Sequence, residues 1–382
     1  MYFKSWPFRV VPEHSSDVWA DRKSILNDLN LLIKESQERE RSSITLVWGY
    51  IGAGKSHSLF HLKRLAEKNP QNLFILSPMP KEIKRFADLY QYGFFKPLNF
   101  LTIAKIAGNV WSNLSEGLGP RNEIDTLEKI STEIAGGWLD FAQAIANLGR
   151  IVSLTGSIRD PLCLLVQAWL SGTKLSKSEL KSIGISNYLK EESDFVRATS
   201  SLIRLLTYRN NGCTGYENVF WVLDDSHYLA NLKTSPKAFN QIQQGLRDSF
   251  DACPNNVYLI LSFAARDASK LDELLIEDLT SRVSRRIHVA PLSDEDAFEF
   301  ITELINSKDF KKEGVGEVYY PYSKEAIQKM IHRCKEITDL TPRNLMKLFE
   351  DITTTAETEI SPNIIDVHYV SEFLKKNKAK VE

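Results

Sequence analysis

Cysteine is scarce in this chain and never paired. Cys163, Cys213, Cys253 and Cys334 lie far apart, with no C-x-x-C motif. That scatter argues against a metal site and against a disulfide framework and favours reduced core or surface thiols. Excess charge is missing as well. Lys and Arg number 48 against 49 Asp and Glu, so the net charge of −1 advertises neither nucleic acid nor a membrane surface, although a local basic groove is compatible with it. There is no long apolar run. The nearest, Trp138 to Leu154, is interrupted by Asp140, Gln143, Asn147 and Arg150, so no membrane partner is expected. The segment Met1-Tyr2-Phe3-Lys4-Ser5-Trp6-Pro7-Phe8 lacks the apolar stretch of a signal peptide, which makes a cytoplasmic location the expectation. Internal repeats and low-complexity tracts are absent too. What remains is the composition of an ordinary globular protein, 43% hydrophobic and 25% charged, and 382 residues suffice for two or three packed units.

Against that plain background one stretch stands out. Gly49-Tyr50-Ile51-Gly52-Ala53-Gly54-Lys55-Ser56 matches G-x-x-x-x-G-K-[ST], the phosphate-binding loop. Its flanks fit. Ile44 to Trp48 reads as a buried strand and Ser58 to Glu67 as the following helix. A strand feeding a glycine-rich turn into a helix aims backbone N–H groups and the positive end of the helix dipole at one point, which suits a phosphate. The expected nucleotide-contacting set is Gly49, Tyr50, Ile51, Gly52, Ala53, Gly54, Lys55, Ser56 and His57. Lys55 would reach the β- and γ-phosphates and the Ser56 hydroxyl would ligate Mg²⁺. ATP and Mg²⁺ are thus the implied cofactors. His57 and His61, four apart, have no third ligand nearby and do not read as a metal pair.

A second element belongs with the first. Val219-Phe220-Trp221-Val222-Leu223-Asp224-Asp225 is an apolar run closed by two carboxylates, the pattern of a buried parallel strand opening at a nucleotide. Asp224 is placed to hold the Mg²⁺ through water and Asp225 to polarise the attacking water.

The rest of the chain organises around these two. Residues 1–43 form an aromatic, proline-containing arm followed by a helix from about Ser24 to Glu40. Trp19, before that helix, either packs on an adenine ring or serves as a hydrophobic staple. Residues 44–290 form the α/β core, with further strands at Asn72 to Ser77, Asn256 to Ser262 and Arg286 to Val289, and helices at Leu98 to Leu114 and Phe239 to Phe250. Lys55 and Asp224 are about 170 residues apart, more than a compact nucleotide-binding unit needs. The intervening stretch, about 115–210, reads as helical. It is either an insertion that receives a partner or a cover for one sheet face. From 291 to 382 the pattern turns all-helical, with helices expected at Asp294–Asn306, Lys324–Lys335, Pro342–Glu357 and His368–Lys376.

With these parts in place the chain resembles an AAA+ phosphate-loop ATPase. The likeness is to the origin-recognition/Cdc6 branch and to its bacterial relatives, the transposition-regulator and BREX-type antiviral ATPases. It is carried by Trp19-Ala20-Asp21-Arg22, the phosphate loop, Leu223 to Leu229, Leu279-Thr280-Ser281-Arg282-Val283 leading to Val289 to Ser293, and Leu340-Thr341-Pro342-Arg343-Asn344-Leu345. Ala168 to Gly172 with Lys181 to Ile185 is similar to the insertion of BREX-type ATPases. The resemblance implies a parallel-sheet core with a helical insertion and a C-terminal helical lid. It also implies roles. Ser262 stands where a polar sensor contacts the γ-phosphate or attacking water, and Arg343 where a lid arginine senses the γ-phosphate of its own subunit. Arg282 stands where an arginine finger reaches a neighbouring subunit, with Arg285 and Arg286 as competitors. All supply positive charge or hydrogen bonds to a transferring phosphoryl group.

Two departures bear on function. The family places Glu after the Mg²⁺ aspartate, whereas this chain has Asp225, one methylene shorter, and positioning dominates this chemistry. No recognition helix with clustered Arg and Lys follows the lid. The resulting expectation is an ATP-hydrolysing oligomeric switch or remodeller acting on a protein or DNA partner, in a defence or mobile-element setting. The alternative is a slow-turnover, STAND-like switch or regulatory binding module.

Overall fold

The computed structural model describes residues 2–8, 23–115, 122–359 and 364–377. Trp19 and the rest of Trp19-Ala20-Asp21-Arg22 lie outside the described residues.

Five strands form one parallel sheet: β1 (Ser43–Gly49), β2 (Asn72–Pro78), β3 (Asn218–Asp224), β4 (Val257–Ala264) and β5 (Val283–Val289), in the order β2-β3-β4-β1-β5. β1 to β4 were legible as apolar runs, because strands covered on both faces lose polar alternation and read as continuous hydrophobic stretches; β5 alternates between exposed and more covered residues and begins three residues before the expected Arg286. β3 and β4 are the extreme case, buried throughout except at their last residues. Register follows from stacking. Phe74 opposes Phe220 and Phe220 opposes Tyr258, and the rings stack along one face at centroid separations of 5.7 and 5.0 Å. The other face of β3 carries Trp221 and Leu223.

The described residues divide into two compact units. One comprises Leu31–Val47 and Leu62–Arg286; the other comprises Met1–Asn30, Trp48–His61 and Ile287–Glu382. In the first, the stretch between β2 and β3 is helical, as the apolar spacing predicts, with helices at Phe100–Ser115, Asn122–Lys129, Leu139–Thr155, Pro161–Leu170, Lys177–Ser182 and Glu192–Leu206. Phe100–Ser115 crosses Leu139–Thr155 closely because Gly149 has no side chain; a Cβ there would lie 2.5 Å from the Ala107 carbonyl oxygen. The helix expected to begin at Leu98 begins instead at Phe100, because the chain breaks at Asn99, where φ is +65°.

In the second unit, helices Asp294–Asn306, Lys324–Ile337, Pro342–Thr358 and Val367–Lys376 enclose a core built from Ile301, Met330, Ile331, Phe349 and Ile352. The N-terminal arm belongs to that core. Tyr2, Phe3 and Phe8 are buried in it, and the Phe8 ring packs on Phe349 at 5.6 Å. Polar groups of the arm are satisfied there too: the backbone Lys4 N donates to Phe310 O at 2.9 Å, and the side-chain Ser5 Oγ to Asp309 O at 2.6 Å. Aromatic residues before a core are an ambiguous signal, since exposed arms use them as well.

Phe8 is 1% exposed. Phe8→Ala is expected to cost about 3–5 kcal/mol of stability in the helical unit. Calorimetry reads this as a lower transition for that unit; an unchanged thermal profile would show that the arm contributes nothing to the core.

Candidate nucleotide site

The phosphate loop is set by two glycines and a buried lysine. Gly52 (φ +81°) and Gly54 (φ +104°) hold left-handed conformations that let the chain turn sharply out of β1. The turn ends in a helix that begins at Lys55 itself, three residues earlier than expected. Lys55 is 8% exposed, and its Nζ donates to Gly49 O (3.0 Å) and Tyr50 O (2.9 Å). Burial of the ammonium is tolerable because these carbonyls partner it; a buried charge without such partners would be prohibitive. Ser56 and His57 are half-buried on the first turn of this helix, Ala53 is buried, and Ile51 is exposed at the loop tip.

Side-chain absence governs what lies against the loop. At Gly49 an added Cβ would collide with the Val289 carbonyl oxygen, so the end of β1 abuts the end of β5 backbone to backbone. At Gly52 an added Cβ would sit 2.9 Å from Arg343 Cβ and 3.2 Å from Thr341 Oγ1. Arg343, from the C-terminal helical part of the chain, therefore packs directly on the phosphate loop.

Local chemistry explains why it sits there. Thr341 caps the helix Pro342–Thr358, its Oγ1 accepting from Asn344 N, and Pro342 occupies the first turn, where its missing N–H costs nothing. Asn344 Nδ2 ties the cap to Asp339 O at 2.9 Å. Two helix N-termini are thus gathered at the loop, one beginning at Lys55 and one at Pro342. The second helix start was expected, since Thr-Pro-Arg is a recognisable beginning; its place against the Gly52 turn is what the structure adds. Beside the loop, Trp48 stacks on His288 at 3.9 Å and 12°, and desolvation there lowers the histidine's pKa. Nothing in the linear sequence pairs those two residues.

In the other unit the acidic pair ends β3. Asp224 is its last residue, and its carbonyl accepts from Met79 N at 2.7 Å. Asp225 lies just beyond the strand with φ +54°, its N–H donating to Asp224 Oδ1 at 2.9 Å. That left-handed turn, which aspartate tolerates, leaves the Asp225 side chain 46% exposed, with His227 Nδ1 3.8 Å from its Oδ1. The sequence reading placed Asp225 on the strand; the turn directs it differently from Asp224. Ser262 is fully buried on β4. Since Leu223 opposes Leu261 in parallel register, Asp224 and Ser262, one residue on, share a sheet face. The Ser262 hydroxyl has no hydrogen-bond partner among the described residues. A buried orphan hydroxyl beside a carboxylate at a strand end fits a polar ligand.

The three candidate trans-acting arginines are engaged within this unit. Arg282 makes a two-point contact with Asp251, Nε to Oδ1 at 3.1 Å and Nη2 to Oδ2 at 3.2 Å, while remaining 43% exposed. Arg285 pairs with Glu35 at 3.1 Å and Arg286 with Asp272 at 2.7 Å. No cluster of His, Cys, Asp and Glu capable of holding a metal by itself occurs among the described residues, and no helix among them is long and apolar enough to cross a membrane.

Comparison with solved structures places the architecture. ORC1 of Aeropyrum pernix, solved in complex with DNA, superposes with a TM-score of 0.50 at 14% identity, covering 100% of this chain and 70% of that one. ORC2 of Aeropyrum pernix, solved as ADPNP and ADP complexes, gives 0.52 at 10% identity over 99% of this chain and 73% of that one. The fold is that of the Orc/Cdc6 AAA+ ATPases. At such low identity the likeness concerns architecture alone. No protein-family model matches the sequence, and no curated protein does either. Within the AAA+ fold, the strand–loop–helix at Gly49–Ser56 and the helical part carrying Arg343 are the elements the sequence had singled out.

Ser262→Ala is expected to leave the ligand-free protein as stable or to stabilise it by about 1 kcal/mol, because it deletes an unsatisfied buried hydroxyl. Gly52→Ala should cost about 1–3 kcal/mol through φ strain and the approach of Arg343. Urea melts of the two variants test both signs. A destabilised Ser262→Ala would mean that the hydroxyl already has a partner.

Proposed function

We propose that the chain binds ATP with Mg²⁺ and hydrolyses it as an AAA+ switch that assembles with copies of itself and acts on a protein partner. The observation that carries this reading is the packing of Arg343 and the Pro342 helix start on the Gly52 turn. It brings a second cation and a second helix N-terminus to a loop that already buries Lys55. Positive charge from two parts of the chain converging on one glycine turn suits a triphosphate better than a lone phosphate group.

In this reading Lys55 exchanges its two loop carbonyls for β- and γ-phosphate oxygens, and the N–H groups of residues 52–56 orient the chain of phosphates. Arg343 contacts the γ-phosphate, so the lid reports whether that group is present. Ser56 and Asp224 are the residues that would hold Mg²⁺, which when bound neutralises charge on the phosphates. Ser262 gives its unpartnered hydroxyl to the γ-phosphate or the attacking water. Asp225 takes the proton from that water. Arg282, exposed and held by Asp251, is the candidate to reach a neighbouring copy. Four large apolar side chains on the helices between β2 and β3 are exposed, Ile124 (74%), Leu139 (67%), Leu154 (80%) and Leu164 (51%), and they support a protein partner there. For DNA the support is weaker, since Arg282, Arg285 and Arg286 are all ion-paired. The transposition-regulator and BREX-type assignments, and a defence role, rest on the short sequence likenesses alone.

One observation favours slow turnover. Asp225 sits in a left-handed turn off the strand end, near His227, on a side chain already one methylene short. Hydrolysis that waits for a partner to re-aim this carboxylate is the natural form of a nucleotide switch.

Fluorescent-nucleotide binding, steady-state ATPase and light scattering on the full chain test the reading together. Lys55→Ala should weaken ATP binding by at least about 30-fold, and Arg343→Ala by roughly 5–30-fold. Asp225→Asn should keep binding while losing about 10²-fold or more in turnover, and should accumulate the ATP-bound assembly by light scattering. Wild-type binding unaffected by Lys55→Ala would refute the site, and a monomer under all conditions would refute assembly.

A further inference from the structure

Between β2 and the helix Phe100–Ser115 the chain forms a short helix of mixed type: α over Phe86–Leu89, π over Tyr90–Phe95, and α again over Lys96–Leu98. π-Segments have poor hydrogen-bond geometry and persist where their surroundings hold them, often beside functional sites. This one is held from two sides.

On the sheet side, the Gly93 carbonyl accepts from Trp221 Nε1 at 2.9 Å and from Ser77 Oγ at 3.0 Å. The Phe94 ring meets the Trp221 indole edge-on at 5.0 Å. Close approach favours glycine here: a Cβ on Gly93 would lie 2.7 Å from Leu89 Cδ1 and 3.1 Å from Leu223 Cδ2, so both leucine tips would have to shift. Trp221 and Leu223 precede Asp224 on β3, and Ser77 opposes Leu223 in register. The π-turn is therefore bonded to both strands within three residues of the acidic strand end.

On the far side, the same π-turn grips the helices between β2 and β3. Tyr90 Oη donates to Leu170 O at 2.6 Å and Gln91 Nε2 to Ser171 O at 2.8 Å, the carbonyls that end the helix Pro161–Leu170. Glu192, at the start of Glu192–Leu206, accepts from Phe86 N at 2.7 Å and Ala87 N at 3.4 Å. Gly172 (φ +78°) completes the grip, since a Cβ there would strike the Phe195 ring at 2.7 Å and approach Gln91 Nε2 at 3.0 Å.

We propose that this π-helix couples the helical stretch between β2 and β3 to the Asp224 end of β3, with Trp221 and Ser77 as positioning residues for the acidic pair. Its buried polar bonds are all single-valued: one indole N–H, one serine hydroxyl, one phenol and one amide, each with one carbonyl. A shift of the π-segment to α would have to break the bonds on the sheet side and on the far side together, so in this proposal π and α are the alternatives between which the element chooses. A protein docked on the helical stretch would bias that choice and with it the backbone carrying Asp224. By reciprocity, nucleotide at the site must change the far end of the helical stretch. The inference rests on the nucleotide reading above.

The test is hydrogen exchange on the full chain, with and without ADP–Mg²⁺, beside binding of a fluorescent ADP. In wild type, nucleotide should slow exchange by about fivefold or more in peptides covering 86–98 and 161–172. Tyr90→Phe deletes only the phenol donor and should confine the effect to 86–98. Trp221→Phe deletes the indole N–H and should abolish it in both. Each variant should bind fluorescent ADP within about twofold of wild type, and Trp221→Phe should lower kcat with KM unchanged. Should either substitution unfold the protein, Gln91→Met removes the third bond on the far side and is expected to mimic Tyr90→Phe. Nucleotide bound without any change at 161–172, or the same change in wild type and variants, overturns the coupling alone. No nucleotide binding by wild type overturns the site reading and the coupling with it.

Discussion

The approach of bare backbone at the phosphate loop is the constraint from which the site follows. Gly49 lets the end of β1 touch Val289 without a side chain between, and Gly52 leaves room for Thr341 and Arg343 against the turn. A methyl group at either position would push one of these neighbours away by more than packed structure absorbs. The left-handed values at Gly52 and Gly54 are a second demand on the same stretch. Loop shape, cation placement and helix-terminus geometry are thus one problem with one solution. Lys55 illustrates it: its ammonium can be buried because the turn supplies two carbonyls at 2.9 and 3.0 Å.

The acidic strand depends on a comparable economy of space. β3 is almost wholly buried and its side chains alternate between two tasks. Phe220 stacks with Phe74 and Tyr258 on one face, which fixes register, while Trp221 and Leu223 meet the π-turn on the other. Asp224 inherits its position from both. Ser262 shares its face by register alone, without a bond to hold it, and Asp225 leaves the strand through a left-handed turn. The carboxylates are adjacent in sequence yet differently constrained, one by the sheet and one by a turn.

Much of this was legible in the residues. Strands β1 to β4, the loop and the lid helix at Pro342 were visible because apolar runs, glycine spacing and helix caps are local signals. The helix Asp294–Asn306 matches its Ser293 cap to the residue. What stayed hidden was long-range or geometric. The π-turn at Tyr90–Phe95 follows from tertiary contacts to Leu170, Ser171 and Trp221, which no window around residue 90 contains. The Trp48–His288 stack joins strands 240 positions apart. The helix break at Asn99 and the turn at Asp225 need φ values that their residue types permit without requiring. The site residues were nameable; which of them the backbone would aim together was not.

The burial of Tyr2, Phe3 and Phe8 among the C-terminal helices also bears on how the helical unit folds. Phe8 rests on Phe349, so this core joins stretches that are far apart in sequence. The entropy of closing a loop grows only slowly with its length, so the long separation takes little from stability. It falls on the rate instead, because distant contacts reward the chain only after the loop has closed.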